Sequence, residues 1–204
     1  MSYKNQILKS ASELFAEKGF KESSIAELSR LSGAAEGTIF YHFKSKEDIL
    51  INLLQKVKED ILERVAKHHW QGETGLERAL EVINFYFELS EDMKDEFLLL
   101  FRNYPYHLAS VNTRCRHYIE AIYNCFVDLL AKAVEKGQSD GSVRDIHPVK
   151  AGLIVFSMAS GMARFNFYNL FPVGPVYREL MQACARILAS DNAEIPQNLD
   201  GRQK

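Results

Sequence analysis

The chain has 204 residues, 47% of them hydrophobic and 25% charged, with a formal net charge of -2. That is the composition of an ordinary soluble globule long enough to bury a substantial core, and its near neutrality excludes a protein that coats nucleic acid by bulk charge. Three cysteines without a CxxC pair, Cys115, Cys125 and Cys184, exclude a disulfide framework.

The N-terminus lacks an apolar signal core, and the longest nearly apolar run, residues 151–163, is too short to span a bilayer. A cytoplasmic protein with no membrane partner is therefore expected. Periodicity is helical nearly throughout, and no stretch alternates as a strand would. Ile7, Leu8, Ala11, Leu14 and Phe15 form an apolar stripe closed by Lys18-Gly19, which predicts a first helix. Ser24-Ile25-Ala26-Glu27 reads as a capping box opening a second helix with Ile25, Leu28 and Leu31 inward, and Gly33 supplies the turn that follows.

A short third helix is expected over residues 36–42. Ser45-Lys46-Glu47-Asp48 opens a fourth, whose stripe of Ile49, Leu50, Leu53, Leu54, Val57, Ile61 and Val65 continues to residue 69. At on the order of 35 Å, that rod is long enough to join two bodies. After a loop at 71–75, amphipathic helices are expected at 75–90, 92–104, 111–136, 147–169 and 174–190, with Gly137 to Pro148 as a turn-rich connector. The fold class is all-α. Residues 1–45 form a helix-turn-helix domain, 46–190 a helical body entered through the connecting helix 46–69, and 191–204 a disordered tail.

Two short helices joined by a glycine turn, with another packed across them, describe a helix-turn-helix. In its last helix Ile39 and Phe43 lie four apart and anchor the core face. Thr38, Tyr41 and His42 point elsewhere, and each can donate to a phosphate oxygen. Gly37 lets backbone approach a base edge, while Lys44 and Lys46 add charge at the start of the next helix. Residues 1–50 carry seven Lys or Arg against seven Asp or Glu, so affinity rests on placed contacts more than on a basic field. The plainer alternatives are a packing motif without a nucleic-acid role, His42 as a surface histidine and Ser24 as a cap alone.

The stretches "SELFAEKGF" and "SSIAELSRLSGAAEGTIFYHFKSKEDIL" resemble the N-terminal DNA-binding domain of the TetR/AcrR family of one-component bacterial regulators. "AVEKGQSDGSVRDIHPVKAG", residues 133–152, is similar to the connector before the penultimate helix of many members. The resemblance implies an all-helical homodimer with two reading heads on a palindromic double-stranded operator and an effector pocket in the C-terminal body. It implies that Gly37 and Thr38 touch bases or adjacent backbone, and that Ser24, Tyr41, His42 and Lys46 hold phosphates. Ala35 stands where many members carry a Ser or Thr cap, and Phe40 where a tyrosine is common. Glu36 replaces a residue that is often lysine or another polar reader. A glutamate there accepts from cytosine N4 and repels phosphate.

Most of the aromatic residues fall between Phe85 and Tyr177. They are either plain core or, as a set including Phe101, Tyr104, Tyr123, Phe126 and Phe156, the wall of an apolar cavity. Arg164 is the one charged residue between Lys150 and Arg178. It is either an anchor for a ligand carboxylate or phosphate, or a rim or snorkelling arginine. The rings with Arg164 suggest a small-molecule effector resembling a fatty acid or acyl thioester.

Gly152, Ala159 and Ala163 share a small-residue face, and Leu180, Cys184 and Ile187 stripe the last helix. The two faces are either internal core or half of a four-helix dimer interface; the family resemblance favours the dimer. No metal or cofactor is expected, since Cys115 and His117, and likewise His68 and His69, diverge on a helix. The GxSxG, P-loop and GxGxxG motifs are missing, so an enzyme is not expected. The reading is a ligand-responsive transcriptional regulator, most often a repressor. Its rivals are a protein-interaction module without DNA binding, a small helical enzyme and a thiol sensor at Cys115 or Cys125.

Overall fold

The computed structural model describes residues 3–172, 174–193 and 195. Among them are ten α-helices and a single isolated antiparallel bridge between Val143 and Ala189, so the fold class is all-α. Most of the tail expected to be disordered lies outside the described residues. The chain packs as two compact units, Met1–Ala66 with Met93–Ile122, and Lys67–Asp92 with Tyr123–Lys204. This grouping cuts the chain differently from a boundary after residue 45.

The first unit begins with α1 (Tyr3–Glu17), α2 (Ile25–Ser32) and α3 (Glu36–His42). Ile7, Ala11, Phe15, Leu28, Ile39 and Phe43 are all nearly inaccessible, which makes these helices one small core. Ser24 caps α2 in a complete capping box, and Gly33 ends that helix at φ 68, a left-handed conformation that favours glycine. Leu31, expected inward, is 54% exposed. The inner line of α2 runs from Leu28 to Ser32, and Leu31, one residue before Ser32 and so about 100° away, is turned off it. Next comes α4 (Lys46–Lys67), which buries Ile49, Leu50, Leu53, Leu54, Val57 and Ile61.

Where one helix over 92–104 was expected, the structure has two, α6 (Lys94–Phe101) and α7 (Asn103–Val111). The chain breaks at Arg102, whose backbone is extended at φ -71 and ψ 152. A continuous helix would set the Pro105 ring against the Phe101 carbonyl. Restarting at Asn103 puts Pro105 in a first turn, where its missing N–H costs nothing.

The second unit holds α5 (Gly75–Asp92), most of α8 (Thr113–Asp140), α9 (Pro148–Phe167) and α10 (Gly174–Leu188). Gly137, read as a connector, lies inside α8. A Cβ on Gly75 would stand 2.0 Å from the Gly137 backbone nitrogen, so the pair of glycines lets α5 and α8 touch through backbone. The helix ends three residues later, before Gly141 at φ 80.

From there residues 141–144 run beside the end of α10. Arg144 N donates to the Leu188 carbonyl at 2.9 Å and Ser190 N to the Ser142 carbonyl at 3.1 Å. Tyr86, Phe126 and Phe156 form the aromatic centre of this unit, with Phe126 and Phe156 stacked at 5.4 Å.

Candidate nucleic-acid interface

The helix-turn-helix consists of α2, the Gly33 turn and α3. Without a side-chain cap, α3 closes its first turn on the Ala35 carbonyl, which accepts from the amides of Thr38 at 2.8 Å and Ile39 at 3.1 Å. Because Ile39 and Phe43 are buried, helical periodicity turns Glu36, Gly37, Phe40 and Tyr41 together to the opposite side. Tyr41 is 84% exposed and Phe40 51%. Lys44, just past the helix, is exposed, and its backbone amide donates to the Asp48 carboxylate at 3.0 Å.

Thr38 and His42 are half-buried, and the His42 ring meets Tyr41 edge-on at 5.1 Å. A Cβ on Gly37 would find nothing within 4 Å, so the glycine leaves bare backbone on the outer face. Such a surface offers a phenol, an ammonium, a carboxylate and a ring edge to a groove, with backbone between them.

Two expected phosphate ligands are occupied within the chain. Ser24 Oγ accepts from the Glu27 amide at 3.2 Å while Glu27 accepts from the Ser24 amide at 2.9 Å. The Glu27 carboxylate also pairs with Lys18, and this bond, with those from Ser24, lowers its pKa to about 2. Lys46 turns inward. Its ammonium donates to the carbonyls of Phe20 at 2.7 Å and Ser23 at 2.8 Å, and lies 4.4 Å from the centre of the Phe20 ring.

The residues expected to line an effector pocket divide between the units. Phe101 and Tyr104 belong to the first, where Tyr104 is stacked on Phe20 at 4.0 Å and 17°. Tyr123, Phe126 and Phe156 cluster in the second. Arg164 does not join them: it is exposed and lies 5.7 Å over the Tyr168 ring. It follows Ala163, the last inward position of α9, by one residue and so about 100° of rotation.

The residues expected either as internal core or as a dimer face are covered within the protomer. Gly152, Ala159, Ala163, Leu180 and Cys184 are buried within the protomer, and Ile187 is half-buried. A Cβ on Gly152 would come 2.9 Å from the Val127 carbonyl, so this stripe seats α9 on α8. The exposed apolar face is the neighbouring one, with Val149, Leu153, Ile154 and Phe165 on α9 and Val176 on α10.

Burial, joined at Cys125 by the Asp128 charge, pushes the thiol pKa values of Cys115 and Cys125 up to about 11, away from the thiolate form. Among the described residues no cluster of His, Cys, Asp and Glu could hold a metal ion, and no helix is long and apolar enough to cross a membrane. Phe40, noted from the sequence only as standing where a tyrosine is common, is exposed on this face, four residues from Glu36 and off the stripe of Ile39 and Phe43.

Residues 7–53 match the family model of bacterial regulatory proteins, tetR family. The fatty acid metabolism regulator protein of Bacillus subtilis (strain 168) is 29% identical over 140 residues, which span 69% of this chain and 70% of that protein. The structure of the regulator FadR from Bacillus subtilis in complex with stearoyl-CoA superimposes with a TM-score of 0.65 at 23% identity, over 89% of this chain and 97% of that one. A transcriptional regulator from Saccharomonospora viridis in complex with choline superimposes with a TM-score of 0.75 at 20% identity, over 92% and 97%.

Proposed function

Because the chain belongs to the tetR family of bacterial regulatory proteins, as a ligand-responsive DNA-binding transcriptional regulator, we propose that it is a cytoplasmic repressor without enzymatic activity. It binds a palindromic operator as a homodimer and leaves it when an acyl thioester binds. In this reading residues 1–45 are the reading head, and residues 46–190 carry the effector and dimer functions. The observation that carries it is the outer face of α3, where Glu36, Gly37, Phe40 and Tyr41 are exposed together, with exposed Lys44 just past the helix.

Tyr41 and Lys44 hold phosphates and set register. Phe40 meets a thymine methyl, and Glu36 accepts from cytosine N4. Ser24 and Lys46, committed to the turn before α2, support the head from behind. Two heads enter successive major grooves about 34–36 Å apart. The exposed faces of α9 and α10 supply the dimer contact, where Val149, Leu153, Ile154 and Phe165 would otherwise face water.

The effector class is supported by the similarity to the fatty acid metabolism regulator protein of Bacillus subtilis and to the stearoyl-CoA complex of Bacillus subtilis FadR, and by the rings of Tyr123, Phe126 and Phe156. An effector acts only through its preference for the conformer whose heads do not fit the operator.

Selection from a random duplex library tests the reading. Wild type enriches a palindrome, and the double variant Tyr41→Ala with Lys44→Ala does not. Stearoyl-CoA then releases the enriched duplex, while coenzyme A alone leaves it bound. Absence of enrichment from low to moderate salt would remove the operator reading. Enrichment without release would remove only the acyl thioester.

A further inference from the structure

Arg102, 49 residues beyond the segment 7–53 matched to the family model, marks the break between α6 and α7, which reaches back to the reading head. The last two carbonyls of α1, those of Ala16 and Glu17, point to the negative end of the helix dipole, where backbone donors run out. Arg102 supplies them. Its Nε donates to Ala16 O at 3.2 Å, and its Nη2 donates to Ala16 O at 2.6 Å and to Glu17 O at 2.9 Å.

Two residues later Tyr104 lays its ring on Phe20 at 4.0 Å, and its hydroxyl bonds the Glu47 carboxylate in the first turn of α4. Lys46 closes the other side, against the Phe20 ring and the Phe20 and Ser23 carbonyls. The turn from Lys18 to Ser24, which aims α2 and thus α3, is held from within the head by Ser23 Oγ on the Gly19 carbonyl at 2.6 Å, Ser23 N on the Phe20 carbonyl at 3.4 Å, the Phe15–Phe20 edge contact at 5.2 Å and the Lys18–Glu27 pair. Lys46, Arg102 and Tyr104 add a second set of contacts, from α4 and from the α6–α7 break.

We infer that Arg102 and Tyr104 are positioning residues for operator recognition, which cap α1 and clamp Phe20 so that the recognition helix is presented at one fixed spacing from its partner in the dimer. This inference rests on the operator-binding reading above and adds to it a determinant that touches no DNA. The backbone break at Arg102 is the enabling feature: the extended conformation there turns the guanidinium toward the end of α1 instead of along a continuous helix. An arginine is needed because two carbonyls must be met by one planar fork, which a lysine point charge meets only in part.

The test uses the full chain and duplexes carrying the enriched half-sites at varied separation, with binding read alongside thermal unfolding. Wild type binds one separation strongly. Arg102→Ala and Tyr104→Leu bind that separation about tenfold more weakly, and their preference among separations flattens, because a loosely held head accepts several. Arg102→Lys recovers part of the preference, and Tyr104→Phe, which keeps the stack, recovers most of it. The salt dependence of binding stays at the wild-type slope in all four, whereas Lys44→Ala lowers it by about 1.

Wild-type affinity and spacing preference in Arg102→Ala and Tyr104→Leu would overturn the inference. So would a loss of binding that is equal at all separations and follows the fall in thermal midpoint, since that is mere destabilisation. If wild type itself enriches no duplex, the operator reading fails and this one falls with it. If wild type enriches one and the variants keep its spacing, only this one fails.

Discussion

The rings of α3 and the rings shared by α5, α8 and α9 are the same residue types put to opposite uses. In the second unit Tyr86, Phe126 and Phe156 contact one another from three helices of 18 to 28 residues, each long enough to bring a partner to every inward ring. The seven-residue α3 has room for one inner stripe, and Ile39 with Phe43 fills it. Phe40 and Tyr41 are left outside by geometry alone. The Tyr86, Phe126 and Phe156 rings thus serve stability, whereas Phe40 and Tyr41 are left to face outward.

That contrast can be broken by substitution. Phe126→Ala, which empties the centre of the stacked cluster, is expected to cost about 3–5 kcal/mol of stability, read by denaturant unfolding. Tyr41→Ala should leave stability within about 0.5 kcal/mol while abolishing operator retention. Equal losses from both would erase the distinction.

Lys46→Ala should cost roughly 1.5–3 kcal/mol, since its hydrogen bonds to the Phe20 and Ser23 carbonyls involve a charged donor. Lys44→Ala, in the link before α4, should cost almost nothing; thermal midpoints of the two variants decide it. Gly37→Ala sharpens the point further. A Cβ there meets open space, so the variant should gain up to about 1 kcal/mol of helix stability and yet bind the operator less well.

The smallest effect is electrostatic. Glu27 has a folded pKa lowered to about 2 from 4.5, chiefly by Lys18 and then by Ser24. A depressed carboxylate stabilises the fold above its unfolded pKa and loses that contribution as pH falls through its folded one. The gap in thermal midpoint between wild type and Glu27→Gln should therefore be full above pH 4.5 and close toward pH 2; a gap independent of pH would discount the ion pair.

The helices of the head were legible because their signals are local. The Ser24 capping box, the Gly33 turn and the stripe of Ile39 and Phe43 lie within one turn of what they control. The α6–α7 break was signalled by Pro105, but helical periodicity on both sides concealed it. What could not be read were choices made by distant partners. Gly137 looks like a helix stop until Gly75 is seen against it. Lys46 looks like a phosphate ligand until the carbonyls of Phe20 and Ser23 claim it. The inward and outward stripes of α9 are one residue apart, and both are apolar, so spacing alone does not choose between Gly152 and Leu153.

Arg144 and Ser190 lie outside any helix, yet their amides are bonded across 44 and 48 residues of chain, to Leu188 and Ser142. In deuterated solvent, connector amides ordinarily exchange at once because water alone holds them. These two should retain their protons until α10 leaves the second unit, so their rate is a clock for the opening of the last helix.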